Sequence, residues 1–497
     1  MIHDTPLTID SRSDFTLKNF AAAAWDGAAV RFSAAALARM AACRAAFLAL
    51  LDGDPPPTIY GVTSGYGQRA SRRLDREQRQ AHARRPPVAT VAAFGAALPG
   101  RVARGIVFCR LANFVEGHAA ISPELAAGVA ALLDGGRLPP VPRDGQGGAG
   151  EILLLAPLFA DLAERVTLGE KEALALINGS PGASALVADA ALAAGRRLAL
   201  AERVFALSVE AFNAPLEAYD PVLGGLWGDP HEAAALAALG RWLEGAGGER
   251  RPYQAPVSYR ILPRVLGQAR RALAEAEAAA SIALAAVTDN PVFLAPDDAH
   301  PHGRVISNGG YHNASAAPAM DGLAGAAADL CLIADRHVSK LLDGRVSLLP
   351  DQLVEGDGAY LGNLGMAQVG YLEAARRAAQ RTLLPGSEGG GFGQNDVAPA
   401  AIPAWRGQEE AGACLEQALA NLAIVAAQAL HVTGRPAPPA LAPLLDQIRA
   451  HVAPVTEARR LAGEAAALCA SFRAEIYPGS ADAAGDPLIG RARGSEG

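Results

Sequence analysis

Long alanine-rich segments recur along this chain with apolar residues at i, i+3, i+4 and i+7, as in Ala269-Arg270-Arg271-Ala272-Leu273-Ala274-Glu275-Ala276, and they leave little choice of fold. That period belongs to helices that bury a face. Such segments run from about 151 to 215 and from 259 to 290, and further helical runs cover roughly 314 to 342, 360 to 380 and 407 to 433. Alanine favours helix, and aromatics at 5% of residues against 51% hydrophobic argue against sheets. The expectation is an all-α fold: a central bundle of long helices with a smaller N-terminal domain. Residues 1–145 alternate short helical patterns with breaks such as Asp54-Pro55-Pro56-Pro57 and Leu138-Pro139-Pro140-Val141-Pro142, and read as that N-terminal domain. Residues 146–433 read as the bundle. Residues 434–497, after Arg435-Pro436-Ala437-Pro438-Pro439, read as C-terminal helices and a tail whose last residues, Ala492 to Gly497, are expected to lack order. At 497 residues the chain exceeds the size at which one core usually stops growing, which predicts two or three subdomains.

Charge excludes several partners. The formal net charge is -7 and Lys18, Lys171 and Lys340 are the only lysines, so no basic stripe exists for a nucleic-acid backbone. Cys43, Cys109, Cys331, Cys414 and Cys469 are scattered and odd in number, which fits neither a disulfide framework nor a zinc spacing, and no metal is expected. No run of about 20 apolar residues free of charge is present, and the N-terminus, with Asp4, Asp10 and Asp14, lacks a charged-then-apolar leader. The expectation is a cytoplasmic protein with no membrane partner.

Four short motifs carry the chemistry: Ile59-Tyr60-Gly61-Val62-Thr63-Ser64-Gly65-Tyr66-Gly67, Leu176-Ile177-Asn178-Gly179-Ser180, Val287-Thr288-Asp289-Asn290-Pro291 and Gln394-Asn395-Asp396-Val397. In this order and at these spacings the chain resembles the aromatic amino-acid ammonia-lyase family, the histidine ammonia-lyases most closely. The resemblance covers roughly residues 50 to 430. It implies an all-α homotetramer whose active sites are shared between subunits, and a small-molecule carboxylate substrate. It also implies an electrophile, methylideneimidazolone, made by cyclising an Ala-Ser-Gly triplet.

The residues themselves support parts of that assignment. Tyr60 lies in a loop with Gly61, Gly65 and Gly67, which can bring a phenol close to a substrate or fold over it. A phenol needs nearby positive charge or hydrogen bonds to its phenolate before it can take a proton near neutral pH. Arg260, in Gln254-Ala255-Pro256-Val257-Ser258-Tyr259-Arg260, matches the family arginine that grips the substrate carboxylate, a role suited to its planar fork. Asn178, Asn290 and Gln254 match amides that position electrophile and substrate, and amides donate and accept without titrating. Each is also an ordinary turn residue beside glycine or proline. Tyr311 matches an aromatic pocket residue with a catalytic role, and Asn363 and Tyr371 match a further pocket segment. His82 falls where a histidine faces the substrate ring, and Asn395 where a glutamate reads the imidazole. The neutral amide makes histidine a poor candidate substrate.

Departures from the family pattern fall at the reacting centre. Thr63-Ser64 stands where Asn-Thr is usual, Gly310 replaces an asparagine, Ala255 an aspartate, and Val257 a second catalytic tyrosine. The segment Gly145-Gln146-Gly147-Gly148-Ala149-Gly150-Glu151 contains no serine, and neither serine nor cysteine lies between Ser122 and Ser180. Even if Ala149-Gly150-Glu151 cyclised, Gly150 has no side-chain carbon from which to make a methylidene, so methylideneimidazolone is not expected and no cofactor is assigned. Without that sink, deamination of an ordinary aromatic amino acid loses several kcal/mol of transition-state stabilisation, roughly 10³-fold or more in rate. Glu151 is new at this point. It reads as an acid or base if buried, or as a carboxylate placed favourably at a helix start. The glycine-rich run Gly389 to Gly393 follows no strand pattern and lacks the Lys-Ser/Thr ending of a phosphate cradle, so it reads as an active-site loop. Three functions remain: a lyase-fold enzyme using cofactor-free acid/base elimination, addition or cyclisation on a carboxylate-bearing, aromatic or otherwise activated substrate; a non-catalytic binding or regulatory homologue; and a residual histidine-type ammonia-lyase.

Overall fold

The computed structural model describes residues 5–355 and 360–478, apart from the side chains of Gln68 and Phe392; the expected C-terminal tail lies outside the described residues. The fold is all-α. Four long helices form its centre: Pro181–Ala211, Leu262–Leu284, Ala316–Leu342 and Ala401–Thr433. Their 31, 23, 27 and 33 residues span about 46, 34, 40 and 50 Å at 1.5 Å per residue. Proline opens the first two, where its missing N–H costs nothing. The 401–433 helix stops at Gly434, which takes the left-handed conformation, φ +62°.

Helices 181–211 and 262–284 run antiparallel. Ser184 at the start of one bonds the carbonyl of Ala283 at the end of the other (3.0 Å), whereas Ser208 near the end of the first lies 3.4 Å from the Tyr259 hydroxyl, just before the second begins. The bundle therefore has two distinct ends.

One hydrophobic cluster runs from Ile9 to Tyr477, so the N-terminal segment and the C-terminal helices pack onto the bundle rather than beside it. Helix Gly100–Ala112 lies on 181–211, and helices Ala442–His451 and Ala462–Ile476 close the far side. The expected boundary near 145 falls in the loop after Pro142 and that near 433 at Gly434, while the core crosses both. Each fully buried Leu or Phe contributes about 1.5–3 kcal/mol. A buried polar cluster also pins the layers: Arg101 bonds Asp189 (2.8 Å) and Glu409 (3.2 Å), Arg197 bonds Glu416 (2.8 Å) and Tyr477 (2.7 Å), and Trp25 and Trp405 donate to Asp189. Gly412 leaves the space that Arg197 fills, since a Cβ there would lie 2.3 Å from its guanidinium.

Helices Ala34–Leu51, Ala316–Leu342 and Ala401–Thr433 are by length and composition apolar enough to cross a membrane. The bundle accounts for two of them, with 56% and 89% of their apolar windows buried inside the protein. Strands, which the periodicity did not predict, form three two-stranded ladders: Leu7–Ile9 with Val30–Phe32 in parallel, and Val292–Leu294 with Arg304–Ile306 and Gly386–Gly389 with Asn395–Val397 antiparallel.

Candidate functional site

The glycine-rich segment ends in a tight turn. Gly150 and Glu151 both take left-handed conformations (φ +69° and +55°) before helix Ile152–Arg165 begins. Glycine adopts that region freely, and glutamate pays a strain of about 1–2 kcal/mol. What holds Glu151 there is its buried carboxyl. Oε2 accepts from the backbone N–H of Gly182 (2.6 Å) and Oε1 from that of Ala183 (2.8 Å), in the first turn of the 181–211 helix. The side chain is thus buried, the condition set for an acid or base, and the helix start it serves is that of 181–211 rather than of the helix it precedes. Gly182 makes the approach possible, since a Cβ there would meet Glu151 Oε2 at 2.7 Å and Leu154 at 2.0 Å. Burial pushes the Glu151 carboxyl up to about 8, against the pull of the Ala183 and Gly182 N–H groups and of Arg110.

Asn178 and Asn290 form the floor beside this turn. Asn178 Nδ2 donates to the Asn290 carbonyl (2.9 Å), and a Cβ added at Gly150 would lie 2.5 Å from Asn178 Oδ1. Asn290 Oδ1 accepts from the Asn308 N–H (2.9 Å). Beneath them sit charges that sequence reasoning missed. Arg110 is fully buried and gives Nη1 to the Asn178 carbonyl (2.5 Å), while its Nε and Nη2 have no partner among the described residues. Burial pulls Arg110 down, opposed by Asp289 and Glu151. Lys171 pairs with Asp289 and also bonds the Ala119 carbonyl (3.0 Å). Burial lowers Lys171 too, with Asp289 opposing. Arg110 and Lys171 carry no sequence signal of a site, and Asp289, although inside the Val287–Pro291 motif, has no role of its own in the sequence reading.

The Tyr60 loop reaches the same end of the bundle. The Ile59 carbonyl collects the N–H groups of Val62, Thr63 and Ser64, and the Gly67 N–H donates to the Tyr60 hydroxyl oxygen (3.1 Å), so the loop closes around a half-buried phenol. Gly61 (φ +70°) brings the loop against Leu174, one turn before Asn178, where a Cβ would leave only 2.8 Å. His82 is half-buried and packs against Tyr66 in a tilted arrangement, ring centroids 4.9 Å apart and planes at 49°. Burial and then Arg85 lower its proton affinity, offset in part by a backbone hydrogen bond to Gly61.

Two further segments complete this end. Asn395, on the short antiparallel ladder, accepts from the Ala149 N–H (2.9 Å) and donates through Nδ2 to Glu388. Tyr311 follows Gly310, whose carbonyl accepts from Ser180 Oγ (3.3 Å). The structure thereby brings together Tyr60, His82, Ala149, Gly150, Glu151, Asn178, Asn290, Tyr311 and Asn395.

Arg260, Gln254 and Asn363 lie elsewhere. Arg260 precedes helix 262–284 and Asn290 follows it, so in one chain they are separated by about 34 Å. Asn363 lies in the first turn of helix Gly362–Ala378, and a Cβ at Gly365 there would lie 3.3 Å from Leu342, the last residue of helix 316–342. Arg260 is exposed, anchored by Nε to the Ala255 carbonyl (3.0 Å), and meets no carboxylate among the described residues. Tyr259 beside it is fully buried, stacked on His337 (3.7 Å) and Phe212 (4.4 Å). That packing fixes the backbone from which the Arg260 fork projects. An open cleft of about 780 Å³, lined by Asp335, Arg336, Arg345, Gln352 and Gly362, adjoins Asn363. Within one chain the phenol, amides and buried carboxyl therefore lie at one end of the bundle and the exposed guanidinium of Arg260 at the other.

No group of three or more His, Cys, Asp or Glu side chains among the described residues is placed to hold a metal ion, and all five cysteines are free. A model of the aromatic amino acid lyase family matches residues 15–163 and 159–453. The histidine ammonia-lyase of Deinococcus radiodurans is 31% identical over 402 residues, 74% of this chain and 74% of that protein. That of Symbiobacterium thermophilum is 31% identical over 447 residues, 82% of this chain and 86% of its own length. Among solved structures, tyrosine aminomutase from Streptomyces globisporus superposes with a TM-score of 0.81 at 23% identity over 95% of this chain and 98% of that one. Ergothionase from Treponema denticola, an ergothioneine-degrading enzyme, does so with 0.85 at 18% identity over 96% and 100%. The structures share the fold, and the sequence matches go further: this chain belongs to the aromatic amino acid lyase family.

Proposed function

We propose that this member of the family is an enzyme that works without methylideneimidazolone, by acid/base elimination, addition or cyclisation on a carboxylate-bearing substrate already activated for reaction. Gly150 carries the reading. The residues present do not fit the electrophile: no serine or cysteine lies between Ser122 and Ser180, Gly150 supplies no side-chain carbon, and a Cβ there would crowd Asn178 Oδ1 at 2.5 Å. No step is routed through that group. In the elimination, Tyr60 as phenolate takes a proton from the carbon next to the C–N bond, the C–H electron pair becomes the new double bond, and the nitrogen leaves as a neutral amine with the C–N pair. A quaternary ammonium suits this chemistry because it cannot shed its charge by losing a proton.

Two copies supply the working site, the Tyr60 end of one meeting the Arg260 end of another within a homotetramer. The 34 Å helix between Arg260 and Asn290 supports this arrangement, since one chain alone cannot hold a small carboxylate at Arg260 and its reacting carbon at Tyr60. The second reading, a residual histidine-type ammonia-lyase, is favoured by the relatives named above.

The test is a panel of L-histidine, L-phenylalanine, L-tyrosine and amino-acid betaines in deuterated buffer, following exchange at the α- and β-carbons by NMR together with amine release. Ergothioneine belongs in the panel because a fold neighbour degrades it. Exchange or tertiary-amine release from a betaine, without ammonia from the three ordinary amino acids, is the expected result. Ammonia from histidine at a useful rate supports the second reading. Binding with neither exchange nor release contradicts both and leaves a non-catalytic regulatory homologue.

A further inference from the structure

Four planar groups are stacked behind Arg260. The Arg251 guanidinium sits 3.7 Å from the centre of the Phe212 ring, Phe212 stacks on Tyr259 with centroids 4.4 Å apart, and Tyr259 stacks on His337 at 3.7 Å with the planes 3° from parallel. Phe205 closes the column edge-on against His337 at 5.4 Å. Phe205 and Phe212 belong to helix 181–211 and its C-cap, and His337 to helix 316–342, so the neighbour of Arg260 is gripped between two of the four central helices. All four rings are fully buried, and of the residues in helix Val257–Arg260 only Tyr259 is buried.

Polar contacts set the rotation of these rings. Ser208 Oγ lies 3.0 Å from His337 Nδ1 and 3.4 Å from the Tyr259 hydroxyl, so one hydroxyl reads both rings, and the Tyr219 hydroxyl donates to the Tyr259 carbonyl (2.9 Å). Burial pulls His337 down to about 3, opposed by the Ser258 backbone, and Nε2 reaches no partner at ordinary hydrogen-bond geometry among the described residues. The imidazole is therefore neutral and adds no charge near Arg260.

We propose that His337 is a positioning residue for Arg260: its ring, turned by Ser208 and pressed flat on Tyr259, fixes the short helix from which the guanidinium fork reaches the substrate carboxylate. The inference rests on the reading of Arg260 as the carboxylate grip. Arg260 Nε is held on the Ala255 carbonyl (3.0 Å), which leaves both Nη groups for a carboxylate. A bidentate pair depends on direction as well as distance, so a tilt of the short helix costs affinity for the charged group and spares the apolar remainder of the ligand.

The test is calorimetric binding of 3-phenylpropanoate and 3-phenylpropanamide, which share ring and chain and differ in the charge that Arg260 reads. Wild-type protein is expected to prefer the acid, and Arg260→Ala to remove that preference. His337→Ala takes away the ring behind Tyr259 and is expected to weaken the acid about tenfold and the amide by less than about twofold. His337→Phe restores a flat ring and should keep the acid within about threefold of wild type. Ser208→Ala leaves every ring in place, removes only the hydroxyl, and should weaken the acid about threefold with the amide unmoved. A merely structural His337 would lower the thermal midpoint and move both ligands alike. Equal weakening of acid and amide, or an unchanged acid affinity, in His337→Ala overturns the proposal; Ser208→Ala decides by the same rule if that variant does not fold. If Arg260→Ala still removes the acid preference in that case, the reading of Arg260 stands without the proposal. No acid preference in wild-type protein overturns both.

Discussion

Replacing Glu151 with alanine is expected to lower the thermal midpoint by about 3–4 °C. The substitution strips the acceptor from two buried N–H groups, those of Gly182 and Ala183 at 2.6 and 2.8 Å. Each orphaned donor costs about 1–3 kcal/mol, and together they amount to roughly 3–4 kcal/mol. An unfolding entropy near 2.1 cal/mol/K per residue gives about 1.0 kcal/mol/K for 497 residues, hence the predicted shift. Glu151→Gln keeps one acceptor and separates charge from shape. Because burial raises the folded carboxyl from an ordinary 4.5 to about 8, its favourable contribution is fully present below about pH 4.5 and is lost as pH rises through 8. Wild-type protein should therefore match the glutamine variant near pH 5 and fall behind it by pH 8.5. Differential scanning fluorimetry across that range reads both effects. An alanine variant with an unchanged midpoint, or a wild-type minus glutamine difference that stays flat with pH, would refute the reasoning.

Three other outcomes follow from the same geometry. Gly150→Ala must place a Cβ 2.5 Å from Asn178 Oδ1 at φ +69°, and is expected to cost about 1–3 kcal/mol, seen as a lower midpoint; a neutral or stabilising effect would mean that the turn is not built as described. Co-expressing Tyr60→Phe with Arg260→Ala should restore about one quarter of wild-type turnover, since two independent half-site choices each succeed half the time, whereas a site within one chain would restore none. Glu409→Gln leaves Arg197 and Arg101 without a shared partner and should destabilise by about 3–5 kcal/mol. Against burial, Arg197 and Arg101 hold Glu409 down at about 2, so its contribution is complete above about pH 4.5 and drains as pH falls towards 2, and the variant should lose that acid-limb slope in a pH series of midpoints.

The helices were legible because alanine and leucine at a 3.6-residue period can satisfy few other folds. The run expected from 151 to 215 is nevertheless broken at Val166 to Ser180, where Asn178 and Gly179 leave the helix to form the site floor. The short ladder of Gly386 to Gly389 with Asn395 to Val397 was not legible: it has no alternation and a single β-branched residue, Val397, and it is held by Asn395, Ser387 and Glu388 side chains. Arg110 and Lys171 were invisible, and Asp289 was seen only as part of its motif, because a buried charge looks like a solvated one until its neighbours are known. The resemblance implied active sites shared between subunits without saying which residues one chain keeps apart, and the length of helix 262–284 puts Arg260 and Tyr60 at opposite ends of a single chain.

Whether Ala149-Gly150-Glu151 makes an electrophile is decided by intact-mass spectrometry of the purified protein, paired with difference absorbance before and after borohydride and an ammonia assay on aromatic amino acids. The account predicts the mass of the unmodified chain, no near-ultraviolet band bleached by borohydride, and no ammonia. A mass short by lost water, with a bleachable band and ammonia release, would contradict it.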